Sequence, residues 1–183
     1  YFELRKSLHD GVKKMIQPLV AQQTPHASLI KRSLLGTVIK LCVFFGRKET
    51  ENFLLPLLFT FLNDTDWQLR AALFDRIAGV LAFAPWTSKS HKQILLVMLT
   101  DCEELVVARV LNSIRTLCAL KISLYDRHLL LGFAEGAAPM LLHPSPLLRH
   151  RACQVIVSVA DLLCATDVHV LLLPRLVPYI RVD

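Results

Sequence analysis

The sequence predicts an all-α fold in which antiparallel helix pairs stack into a superhelix, and three observations lead there. Apolar residues recur at helical spacing along most of the chain, while strand-like alternation and hairpin signals do not occur. Short polar breaks divide the helical stretches into segments of ordinary helix length. The segments repeat in register about every 40 residues.

The repeat is clearest around 62–81, where the polar break Asn63-Asp64-Thr65-Asp66 separates two apolar patterns. Asp66 suits an N-cap, because its carboxylate can accept from the free N–H groups of the first helical turn. After it, Leu69, Leu73, Ile77 and Val80 stand at i, i+4, i+8 and i+11, on one face of a helix. The column of Leu73 falls on Leu35, Val110 and Ala152, that of Ile77 on Ile39, Ile114 and Ile156, and that of Val80 on Cys42, Leu117 and Val159. The column of Arg70 falls on Arg32, Val107 and Arg149, at steps of 38, 37 and 42 residues. Two helices per unit at this period mark a HEAT-type α-α superhelix, a solenoid in which each unit touches only its neighbours. About four and a half helix pairs fit the 183 residues as a single array 1–183. The units fall at approximately 1–46, 47–86, 87–121, 122–165 and a partial 166–183.

Each element has its own signal. Residues 1–22 read as a helix with Leu8, Val12, Met15, Ile16 and Leu19 on one face. Thr24-Pro25 opens the next helix, over about 27–45, and Gly46 ends it as a C′ residue. The first helix of the second unit covers 49–62 and contains Pro56, with Pro18 at the equivalent place 38 residues earlier. A proline there bends the first helix of a pair. The 66–83 helix breaks at Ala84-Pro85-Trp86. Ser88 caps a helix through Leu99, Thr100-Asp101 turns the chain, and a helix over 103–120 follows with acids where the helix dipole favours them. Residues 124–142 form a less regular helix containing Gly132 and Gly136. Ser145-Pro146 supplies the N-cap and N1 residues of a helix to about Cys164, and Thr166 or Asp167 caps a last helix through Tyr179.

Composition narrows the function classes. Hydrophobic residues make up 54% of the chain and the mean hydropathy is +0.46. No apolar run approaches the ~18 residues of a membrane span. The excess therefore reads as buried surface, part of it covered by segments or partners outside this piece. Tyr1 in place of an initiator Met, and a helical pattern close to Asp183, read as a fragment of a longer chain. The formal charge of +6 comes from scattered basic pairs such as Lys31-Arg32 and Arg47-Lys48, which do not form a nucleic-acid or polybasic membrane segment. Five cysteines, an odd number with no CxxC, fit a reduced cytoplasmic protein rather than a disulfide framework.

No catalytic constellation can be assembled, so the expectation is a protein that is not an enzyme, with no catalytic, cofactor-binding or metal residues. None of the seven histidines has ligand spacing, and His26 and His143 read as turn residues that hydrogen-bond locally, in the column of Asp64 and Asp101. Six single glycines build no phosphate-cradling loop, and His9-Asp10-Gly11 lacks the companions of a kinase motif. A structural role remains for the polar residues. Arg32, Arg70 and Arg149 supply the cations, and Asp64 and Asp101 the anions, of a ladder between successive units. Charge-assisted bonds of this kind contribute about 1.5–3 kcal/mol. Val107 interrupts the cations and the two histidines interrupt the anions, so apolar packing must dominate. Arg47, Trp67 and Trp86 are the candidate partner contacts, since Trp and Arg are enriched at binding hot spots.

Particular strings resemble one family. They are LCVFFGR (41–47), TFLND (60–64), DWQLR (66–70), Ala84-Pro85-Trp86, DCEE (101–104), APMLLHP (138–144), Leu173-Pro174 and Val177-Pro178-Tyr179-Ile180. In this order, over about 37–180, they are similar to the regulatory scaffold subunit of class III phosphatidylinositol 3-kinase, the vacuolar-protein-sorting kinase-like family. The resemblance implies a central, non-catalytic HEAT region between a protein-kinase-like domain and a WD-repeat propeller. It implies protein partners, namely the lipid kinase catalytic subunit and a coiled-coil autophagy subunit. It also implies a peripheral place on endosomal and autophagic membranes, through a lipid anchor outside this piece. The alternative is a generic HEAT-repeat adaptor of another transport or phosphatase complex.

Overall fold

The computed structural model describes residues 2–21, 26–83, 94–121 and 126–180. Among them are nine helices and no strand. Helix α1 is Phe2–Ala21 and α2 is Ala27–Phe45. Helix α3 covers 47–63 and α4 is Trp67–Phe83. Helix α5 is helical over 94–100 and α6 is Glu104–Ala119. Helix α7 is Arg127–Ala137, extended by a 3-10 turn Ala138–Leu142, and α8 is Pro146–Ala160. Helix α9 covers 165–179. The even helices lie side by side in one layer, α4 on α2, α6 on α4 and α8 on α6, and the odd helices back them. This is the all-α solenoid that the repeat predicts.

Four of the odd helices share an ending. Helices α3, α5, α7 and α9 close in 3-10 turns, Thr60–Asn63, Met98–Thr100, Ala138–Leu142 and Val177–Tyr179. After the first three, Asp64, Asp101 and His143 swing to extended ψ values of 142°, 144° and 142° and redirect the chain. Two of these helices change register ahead of a proline in a way that the sequence does not announce. Pro56 and Pro174 each follow a π turn, Thr50–Leu54 and Val168–Leu172, whose wider register absorbs the missing N–H. Pro18 lies within α1, which stays α-helical through it.

Two of the three apolar columns are buried throughout. Leu35, Leu73, Val110 and Ala152 line one, and Cys42, Val80, Leu117 and Val159 the other. The isoleucine column departs from expectation at its ends. Ile77 and Ile114 are buried, but Ile39 is 41% exposed and Ile156 half-buried. In α2 and α8 the seat between the layers belongs to the preceding residue, Val38 or Val155. Helices α4 and α6 have an even-layer neighbour on both flanks, which buries a wide arc and brings in the isoleucine. Helices α2 and α8 have one described neighbour and bury a narrow stripe. Ile39 packs beside Gly79 of α4, where a Cβ would lie 2.8 Å from its Cδ1.

Several local expectations shift as well. On α1, Ile16 and Val20 face the core, while Leu4, Leu8, Met15 and Leu19 line an exposed stripe. Val170, Leu173 and Val177 do the same on α9, with Ile180 just beyond its end. Gly46 ends α2 at φ 79° and donates to the Cys42 carbonyl, as a C′ glycine does. Asp66 accepts from the Gln68 N–H at 2.9 Å. Ser145 makes no side-chain cap. The last helix is capped by Cys164, whose Sγ accepts from the Asp167 N–H, rather than by Thr166 or Asp167. Asp126, an unforeseen cap, accepts from Leu129 N–H. The breaks placed at Thr24-Pro25, Ala84-Pro85-Trp86 and Ser88 lie outside the described residues.

Candidate protein-binding surface

The polar turns between the two helices of a unit carry the most organised charged groups among the described residues. At three of the turns a side chain accepts from the backbone N–H two residues on. Asp64 accepts from Asp66 at 3.0 Å, Asp101 from Glu103 at 2.9 Å, and His143, through Nδ1, from Ser145 at 3.1 Å. Asp and His serve alike because each sets an acceptor at the same reach. Six residues beyond the turn residue, an arginine clamps the turn's carbonyls. Arg70 Nη1 donates to Asp64 O at 2.8 Å and Thr65 O at 3.4 Å, and Arg149 Nη1 to His143 O at 2.8 Å and Pro144 O at 2.7 Å. His26 heads α2 without a side-chain cap bond, unlike His143.

Between units the residues named for the ladder divide. Arg70 and Asp101 meet through two bonds, Nε to Oδ2 at 2.8 Å and Nη2 to Oδ1 at 2.9 Å. Arg32 does not reach Asp64. Its Nη1 donates to Gln68 Oε1 at 2.6 Å, and its Nη2 lies 3.4 Å from Asp66 Oδ2. Lys31 takes Asp64 instead, at 2.6 Å. Val107 and His143 hold the arginine and aspartate places at the next boundary, so cation and anion are replaced together. Burial opposes ionisation of Asp101 and Asp64. Their cationic partners, Arg70 and Lys31, and the turn amides outweigh it and hold both carboxyls below the usual range. Hydrogen bonding to Asp101 raises the Arg70 pKa against the opposing effect of burial.

Further ion pairs join neighbouring units. Lys13 meets Glu49 at 2.5 Å, Arg109 meets Asp75 at 2.9 Å, Arg127 meets Asp167 at 3.2 Å, and Arg175 meets Glu135. Column matching missed them, though opposite charges one repeat apart were the available signal. They are more exposed than Arg70–Asp101 and contribute correspondingly less.

Of the three candidate contacts, Arg47 opens α3 and is exposed, and Trp67 opens α4, half-buried against the core. Trp86 lies outside the described residues. Among the described residues no His, Cys, Asp and Glu side chains gather as a metal site, and no helix is long and apolar enough to cross a membrane. The surface is suited to recognition through exposed helix faces and charged turns.

Comparison with known proteins gives this surface a context. The family model described as "PIK3R4-like, middle domain" matches residues 1–183. The "Probable serine/threonine-protein kinase vps15" of Dictyostelium discoideum is 38% identical over 153 residues, 82% of this chain and 8% of that relative. The "Serine/threonine-protein kinase VPS15" of Arabidopsis thaliana is 32% identical over 180 residues, 97% of this chain and 12% of its own length. A "non-specific serine/threonine protein kinase" of Candida glabrata is 31% identical over 156 residues, covering 84% of this chain and 11% of the relative. The chain thus spans about a tenth of the curated relatives it matches. The matching segment is a non-kinase part of such proteins.

Proposed function

This chain belongs to the PIK3R4-like middle-domain family, and from that premise we propose that it is a non-catalytic HEAT-repeat scaffold in the regulatory subunit of a class III phosphatidylinositol 3-kinase complex. The family match over residues 1–183 carries this reading. Its partners are proteins: the lipid kinase catalytic subunit and a coiled-coil autophagy subunit. Through them the region serves autophagy and endosomal or vacuolar sorting, in the cytoplasm and peripherally on those membranes. The 1–183 array acts as one stacked unit, held at its turns by Arg32, Arg70, Arg149, Asp64 and Asp101. Arg47, Trp67 and Trp86 are its candidate contacts.

The physical support is a repeat architecture that offers extended faces to other proteins. Exposed apolar stripes on α1 and α9 add surface of the kind that partners cover. The test is deletion of residues 37–180 from the full-length protein, followed by co-purification of the lipid kinase and measurement of phosphatidylinositol 3-phosphate on endosomes. Thermal unfolding of the deleted protein checks that the other domains remain folded. The expected result is weakened assembly and less lipid product. Undiminished assembly with unchanged lipid product would overturn the reading.

A further inference from the structure

Four described arginines are buried or half-buried: Arg32, Arg70, Arg115 and Arg151. Arg32, Arg70 and Arg151 donate to acceptors in this chain. Arg115 makes no such bond with a described residue; its Nε, like that of Arg32, is buried without a partner, and its terminal nitrogens, unlike those of Arg32, have none either. Folded proteins seldom leave a partly desolvated cation in that state. Arg115 lies on α6 at a groove of about 280 Å³ against α8, lined also by His150, Cys153, Gln154, Val157 and Ser158. Among the described residues no carboxylate lines it. Gln154 is fixed between His150, ring Nε2 to amide Nε2 at 3.0 Å, and Arg151, whose Nη1 donates to its Oε1 at 3.2 Å. Val157, 53% exposed, supplies an apolar flank. The groove sits at the boundary where Val107 and His143 replace the arginine and aspartate of the turns, so no turn carboxylate is at hand.

We infer that this groove receives an acidic side chain of a partner protein, an Asp or Glu whose carboxylate meets the terminal nitrogens of Arg115 while an apolar neighbour rests on Val157. The chemistry favours a carboxylate over a phosphate. A phosphate site gathers several cations or backbone N–H groups, whereas this groove offers one guanidinium beside an imidazole, an amide, a hydroxyl and a valine. The +6 charge of the chain complements an acidic segment. The inference deepens the scaffold reading by naming one chemistry of contact, and it rests on that reading for the class of partner.

The test uses the full-length protein in its purified lipid-kinase complex. R115K keeps the cation and introduces an amine that a carbodiimide joins to a carboxylate within ion-pair distance. Mass spectrometry should find that amine linked to an Asp or Glu of another polypeptide, and R115Q should give no such link. R115Q should also weaken retention of that polypeptide about tenfold, while K40Q on α2 leaves it unchanged. No adduct, or adducts only with carboxylates of this same chain, would overturn the inference. Assembly of the wild-type complex is scored in parallel. Intact assembly without an adduct refutes the groove and leaves the scaffold standing, whereas failure of wild-type assembly refutes the scaffold itself.

Discussion

Arg70 and Asp101, 31 residues apart, form the most buried ion pair among the described residues, with side chains 10% and 5% exposed. The same guanidinium clamps the Asp64 turn of its own unit through Nη1. One side chain thus sets the shape of a turn and ties it to the next. The most buried charge contact joins the units at the turns, while apolar contact dominates within the layers.

Removing either member of this pair leaves the other charge buried. R70M and D101N should each lower stability by about 3–5 kcal/mol. The double variant should lose less than the sum, by about 0.5–3 kcal/mol. Denaturant unfolding of the four proteins measures the cycle, and strictly additive losses would show that the pair does not couple.

The same carboxylates set the acid limit of stability. Their folded pKa values lie below the unfolded ones. Their contribution is therefore complete above about pH 4, the ordinary aspartate range, and is lost as pH falls through the folded values. The thermal midpoint should fall on acidification below that point, and the fall should be shallower in D64N/D101N. An unaltered acid limb in that variant would remove the two aspartates from the cause.

The isoleucine column should divide by position. I77A and I114A remove fully seated side chains and should each cost about 2–5 kcal/mol. I39A and I156A remove partly exposed ones and should cost distinctly less, about 1 kcal/mol or below. Equal losses at all four positions, in thermal or denaturant melts, would contradict the exchange of seats with Val38 and Val155.

The five cysteines are free thiols of two kinds. Burial raises the Cys42 pKa, and it pushes that of Cys118 up to about 11. Cys102, Cys153 and Cys164 are exposed. Alkylation near pH 8 should label these three in the folded protein and all five after denaturation. Rapid native labelling of Cys118, or fewer than five labels under denaturing, non-reducing conditions, would contradict this.

The sequence made the repeat legible because helical periodicity and polar turns are local signals. It located Gly46 and the Asp66 cap for the same reason. The occupants of the inter-layer seats at 38 and 155 were less legible, since the choice between adjacent apolar residues depends on how many neighbours a helix has. The pairing of Asp64 with Lys31 rather than Arg32 was not legible, because the two cations are adjacent and differ by a rotation of one residue about the helix. The π turns before Pro56 and Pro174 have no signature separate from the proline itself. Arg115 could not be singled out, because the absence of a partner is a property of the packed structure alone.

The scaffold role turns on whether this region is touched in the assembled complex. Hydrogen-exchange mass spectrometry of the full-length protein, alone and bound to the lipid kinase complex, measures this. Binding should slow exchange in peptides containing Arg47, Trp67 or residues 143–157, with a smaller change in the α4 interior around Ile77. Identical exchange across 26–180 in the free and assembled protein would contradict the scaffold role.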